Sequence, residues 1–198
     1  YTATLNLTFL NFTLTFGFTI ATSTLVANAV GEGAANKARK FAWIGLCMIL
    51  GLVGILDLCL LTFRHSVATF YTGEVSVQQV TATMFALYCL GMPLDIGSNT
   101  LGYFLRAAGQ DRFVLRSFLI SYYMIGLVGC YFFGLKFGFG FYGIWFSLIA
   151  GFYVMFALNI RKMYYLDWQV EVKNVSALMR AETSASSPEA RNIEMCNW

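Results

Sequence analysis

Charge is what this sequence has least of. Only 12% of its 198 residues are Asp, Glu, Lys or Arg, about half the share found in an average soluble domain. Most of the few charges cluster at 32–40, 64–74, 106–116 and 161–194, leaving long apolar runs between them. There is one histidine, His65, and no CxxC pair, so neither a zinc site nor a Cys/His catalytic pair is expected. No nucleophile–base pair appears either. The reading is therefore not an enzyme, with no cofactor and no bound metal. The net charge of +3 comes from bases at the ends of apolar runs, a distribution that does not indicate nucleic acid.

What fills the gaps is apolar. The chain is 58% hydrophobic, with 19 Phe and 11 Tyr. Cys47, Cys59, Cys89 and Cys130 all lie within apolar runs, as small buried side chains do. A bilayer core needs roughly 20 helical residues to cross it. Five segments meet that length, at about 5–30, 41–63, 78–104, 113–134 and 139–163. The expected fold is an all-α, polytopic bundle of about five transmembrane helices, with a membrane domain over 1–168. The last two spans are joined by the short "GLKFGFGF" turn. Residues 169–198 turn polar and read as a disordered tail.

Lysine and arginine orient the spans. Lys37, Arg39 and Lys40 follow span one, Arg106, Arg112 and Arg116 follow span three, and Arg161 and Lys162 end span five. The other side has only Arg64 and Lys136. The positive-inside rule then places the basic connections and the C-terminus in the cytoplasm. The start "YTATLNLTF" has no basic n-region or cleavage pattern and is read as the head of a span. An odd span count with an external start predicts at least one further span upstream. The sequons at Asn6 and Asn11 fall inside span one and are read as helix residues.

Two polar features stand out within the spans. Thr4, Thr8, Asn11, Thr15, Thr19 and Thr22 recur at three- and four-residue steps on span one, which places them on one helix face. Gly17, Ala21, Thr24 and Asn28 form a strip beside them. Such a face packs against another helix or lines a wet cavity, and Asn11, Thr15 and Thr22 are the cavity-lining candidates. In span three, Asp95 lies about 11 residues before Arg106, roughly 16 Å along a helix and close to mid-membrane. A charged Asp there costs at least about 2.5–3.5 kcal/mol. Span three holds no base to pair with it. That leaves a protonated acid, a hydrated cavity or a cation site. Ser98 and Asn99 share its face, and Pro93 removes a helical bond nearby and bends the helix. Asp95, Ser98 and Asn99 are the expected substrate- or ion-binding residues, with Pro93 as a kink. Asp57, nearer the outer interface, reads as structural or as a cavity rim.

Three stretches together resemble MATE (multidrug and toxic compound extrusion) transporters. They are "TIATSTLVANAVGEGAANKAR", "DIGSNTLGYFLRAAGQDR" and "SYYMIGLVGCYFFGLKFGFGFYGIWFSLIAGF". The likeness covers residues 5 to about 168, and it implies helices eight to twelve of a twelve-helix protein. Ala27, Glu32, Ala107 and Asp111 depart from the family pattern. The resemblance implies an antiporter that exports organic cations or other drug-like molecules by alternating access, in exchange for protons or sodium, and protons are the favoured coupling ion. Asp95 falls where many eukaryotic members carry an acid, and Gly31, Gly33 and Gly109 would be flexible connections. The implied partners are small-molecule cations, membrane lipids and an N-terminal lobe of the same protein. The implied location is the plasma membrane or a vacuolar or other organellar membrane. Two alternatives stay open: a membrane scaffold or assembly subunit, and a flippase for a lipid-linked substrate.

Overall fold

The computed structural model describes residues 2–71, 75–138 and 140–185. Its elements are α1 (Thr2–Gly31), α2 (Ala35–Tyr71), α3 (Val75–Ala107), α4 (Asp111–Phe118), α5 (Gly140–Tyr164) and α6 (Trp168–Ala185). After α4 the chain continues through two π-helical stretches, Leu119–Leu127 and Cys130–Lys136. Among the described residues, four segments are long and apolar enough to cross a membrane: Phe9–Gly31, Ala35–Arg64, Asp111–Lys136 and Tyr142–Tyr164. The remaining expected span lies within α3. At 33 residues it is also long enough, but Asp95, Ser98, Asn99 and Thr100 make its second half polar. α3 packs against α1, α2, α4 and α5, which surrounds its polar groups with other helices.

Many large apolar side chains point outward, among them Phe9, Ile55, Met124 and Leu135. Water would punish such a surface, whereas lipid tails solvate it. Two clusters form the interior. One lies at the end carrying Lys37, Arg106 and Arg161, and joins Val26 and Val30 of α1, Ala42 and Leu46 of α2, and Leu101 and Phe104 of α3. The other is at mid-helix: Ile49 and Val53 of α2 against Tyr88, Met92 and Ile96 of α3.

Close approach holds α5 to the π-helical stretches. Gly143, Ser147 and Gly151 recur every four residues and so share one face. A Cβ on Gly151 would lie 2.9 Å from the Ser121 carbonyl oxygen, one on Gly143 would collide with the Phe133 carbonyl, and Ser147 abuts Gly129. This is the small-residue packing that lets membrane helices touch backbone to backbone.

The expected disordered tail begins instead with a helix. The Asp167 carboxylate accepts the backbone N–H groups of Gln169 and Val170 at 3.1 and 3.4 Å, an N-cap for α6. Trp168 and Val172 are buried, and Val175 packs beside them on the basic-end cluster. Polar composition concealed an apolar edge at helical spacing; residues 186–198 lie outside the described residues.

The connections at the basic end are fixed rather than flexible. Gly33 N–H donates to the Val30 carbonyl at 3.0 Å, and Ala34 N–H to that of Ala29 at 2.9 Å. Gly109 and Gln110 repeat the pattern on Arg106 and Leu105, at 2.8 and 2.9 Å. Both are Schellman caps, and Gly33 and Gly109 each have φ of +77°. Gly31 is simply the last residue of α1. A Cβ at Gly33 meets nothing within 4 Å, while one at Gly109 would lie 2.9 Å from Val175 Cγ2. Gly33→Ala should therefore cost about 1–2 kcal/mol, the left-handed backbone penalty alone. Gly109→Ala should cost more, because α6 must also shift. Thermal unfolding of the two variants in detergent checks the order.

Candidate functional site

Asp95 stands on the polar half of α3. Its Oδ1 accepts two hydrogen bonds, from Asn99 Nδ2 and from the Tyr122 hydroxyl, both at 2.9 Å. Asn99 comes from the next turn of the same helix, as its spacing requires. Tyr122 comes from the Leu119–Leu127 π-helical stretch. Wide turns of this kind are rare and often mark functional places in helices. Among the described residues no hydrogen bond reaches Asp95 Oδ2 and no base pairs with the carboxylate; Lys37–Glu32, exposed and 3.6 Å apart, is the one ion pair there.

Ser98 is near the carboxylate in sequence but does not bond to it. Its hydroxyl donates to the Asp95 backbone carbonyl at 2.8 Å. Its own carbonyl accepts Asn159 Nδ2 of α5 at 3.1 Å, and the Ser117 hydroxyl of α4 lies 2.9 Å from Asn159 Oδ1. Ser98, Ser117 and Asn159 are all buried, so a polar bridge ties α3, α4 and α5 together directly behind the acid. Pro93 lies inside α3 and is half-buried. It has no N–H, so the Cys89 carbonyl one turn earlier lacks its helical donor.

The hydroxyl face of α1 is largely turned inward. Asn11, Thr15 and Thr19 are buried. Thr19 Oγ1 lies 3.1 Å from Thr100 Oγ1 of α3, and Asn11 Nδ2 donates to Asp57 Oδ1 of α2 at 3.4 Å. Thr22 bonds back to the Phe18 carbonyl at 2.7 Å and faces Gly45 of α2. The neighbouring strip of Gly17, Ala21, Thr24 and Asn28 is exposed. Thr15 and Thr19, with Phe12, Phe16, Ile96, Asn99 and Tyr103, line a cavity of about 40 Å³. Asn11 lines a different one, between α1 and α2, and Thr22 lines neither.

Aromatic rings flank the acid's two partners. Tyr122 packs on Phe118 at 4.6 Å and on Phe152 at 5.9 Å. Near Asn99, Phe16 meets Tyr103 at 6.0 Å. Sequence reasoning missed Tyr122, Ser117 and Asn159 as parts of this site. Asn159, an amide inside the apolar "VMFALNI", carried a usable signal; Tyr122 had none that separated it from Tyr123.

An all-helical membrane bundle wrapped around one polar helix is thus the class defined by fold and site. The backbone matches the crystal structure of the eukaryotic MATE transporter AtDTX14 with a TM-score of 0.78, over 88% of this chain and 40% of that one. At 18% identity that likeness concerns the fold alone. The MatE family profile matches residues 1–132, and the chain belongs to this family. It is 29% identical over 150 residues to the probable multidrug resistance protein NorM of Bacillus subtilis, covering 75% of this chain and 33% of that protein. It is 28% identical over 192 residues to the DETOXIFICATION 41 protein of Arabidopsis thaliana, covering 96% and 36%. The chain spans about a third of the length of these relatives.

The bridge behind Asp95 makes a structural prediction. Asn159→Ala removes both of its bonds and should cost about 1 kcal/mol, in the range of interhelical side-chain hydrogen bonds in membranes. Tyr122→Phe, which keeps the ring packing, should cost less. Thermal unfolding of the two variants in one detergent checks the difference.

Proposed function

We propose that the protein containing this chain is a secondary active antiporter that exports organic cations or xenobiotics in exchange for protons, by alternating access. It is read as a transporter and not as an enzyme. The names of the NorM and DETOXIFICATION relatives support this class. One observation supports the mechanism above the others: a largely enclosed carboxylate has one oxygen held by Asn99 and Tyr122 and its other oxygen free, with no base beside it. An acid so placed can hold a proton or a cationic substrate, and loading one releases the other.

The geometry supports a role for each neighbour. Asn99 and Tyr122 orient Oδ1 and leave Oδ2 to the exchanging cation. Ser98, Ser117 and Asn159 hold the backbone that presents the acid. Rings such as Phe118, Tyr122 and Phe152 offer π faces to an organic cation. The cavity beside Asn99, about 40 Å³, has room for water or a proton carrier. A drug-sized ligand needs about 300–1,000 Å³, so its site would open between this lobe and an N-terminal one. Proton coupling is favoured over sodium because a single acid and two neutral donors meet here, whereas a hard metal cation collects about six oxygens. The basic connections would face the cytoplasm in a plasma or organellar membrane.

The experiment is efflux of a cationic dye from vesicles carrying the full-length protein under an imposed pH gradient. Asp95→Asn should lower the gradient-driven rate at least tenfold, and Asp95→Glu should retain part of it. Wild-type rates in Asp95→Asn would refute the assignment.

A further inference from the structure

A second carboxylate is less exposed than the first. Asp57 of α2 is 4% exposed and Asn11 of α1 is 8% exposed. One bond links them, from Asn11 Nδ2 to Asp57 Oδ1 at 3.4 Å. Asp57's second oxygen, Oδ2, and Asn11's side-chain carbonyl oxygen, Oδ1, are buried and have no hydrogen-bond partner among the described residues. With Asp57 ionised, both orphan atoms are acceptors and neither can donate to the other. An unpaired charge and two unsatisfied oxygens inside a membrane would be costly.

The surroundings supply no compensating cation. From α1 the facing group is Asn11 itself, and the nearest acid in sequence, Glu32, lies beyond the far end of that helix. From α3 the titratable groups are Tyr88 and Cys89, which belong to the same mid-helix cluster. Cys89 Sγ lies 3.7 Å from the backbone carbonyl of Asp57, not from its carboxylate. Asp95 of α3 is engaged by Tyr122 of the opposite flank. α6 packs on α2 at the basic end, where Lys173 lies beside Lys37. On α2 itself the nearest base is the half-buried Arg64, seven residues on and about 10 Å along the helix.

We infer that Asp57 and Asn11 form a second intramembrane proton-binding site, separate from Asp95, in which the carboxylic acid donates its O–H to the side-chain carbonyl of Asn11. The acid and the amide then meet through two reciprocal hydrogen bonds, and both orphan oxygens are satisfied. A proton fits where a metal ion does not, because the pair offers three side-chain oxygens in all and a hard cation needs about six. The cavity of about 340 Å³ beside Asn11 adds no oxygen ligand, since Leu10, Leu14, Leu56, Cys59, Leu60 and Phe63 form the rest of its wall. The proton would fasten α1 to α2, and its loss would set like acceptors face to face and loosen that contact. This holds whether or not Asp95 couples transport.

The test is infrared spectroscopy of the full-length protein in lipid nanodiscs between pH 5 and 9. The wild type should show a protonated-carboxyl band at pH 7 that is unchanged in Asp95→Asn, absent in Asp57→Asn and shifted in frequency in Asn11→Leu. Carbon-13 labelling of aspartate carboxyls in the wild type and in Asp95→Asn identifies the band as an aspartate other than Asp95, even if Asp57→Asn does not fold. No labelled band at pH 7, or an Asn11→Leu band at the wild-type frequency, overturns the site.

Discussion

A helix can carry a carboxylate through the middle of a bilayer only if other helices supply its polar partners. Lipid offers none, and each unmatched polar atom costs free energy. α3 answers that constraint by running among α1, α2, α4 and α5. Its polar atoms are met from three sides. Thr100 meets Thr19 of α1, Asp95 meets Tyr122, and the Ser98 backbone meets Asn159 of α5. The apolar faces of the other helices are then free to turn outward, as the exposed Phe, Leu and Tyr side chains do.

The two ends of this arrangement are held differently. At the basic end, glycine-capped turns, a compact aliphatic cluster and the docked α6 make a firm base. Water is available there, so burial of Trp168 and Val172 gains hydrophobic free energy in the ordinary way. Deeper in the membrane that driving force vanishes. Cohesion there rests on close backbone approach, as at Gly143 and Gly151, and on scattered interhelical hydrogen bonds. A bundle so built combines apolar burial at its basic end with a few interhelical polar contacts along its length.

The two acids of the membrane region illustrate how surroundings assign different roles to one side chain. Asp95 has two neutral donors on a single oxygen and leaves the other open. Asp57 has one donor, and its other oxygen is buried with no hydrogen-bond partner among the described residues. The first geometry suits exchange with something that comes and goes. The second suits a proton that stays and holds two helices together.

The sequence by itself determined that the chain is a set of membrane helices, where its turns fall, and that α3 carries an acid with Asn99 on its face. These follow from hydropathy, from Gly and basic punctuation, and from helical periodicity, all of which act between residues a few positions apart. The tertiary structure decided the rest. Tyr122 is 27 residues from Asp95, and Asn11 is 46 from Asp57; no periodicity relates such positions, and only helix packing brings them within bonding distance. The same reason explains α6: its polar composition suggested disorder, yet the edge formed by Trp168, Val172 and Val175 has meaning only once α1, α2 and α3 present a surface to cover.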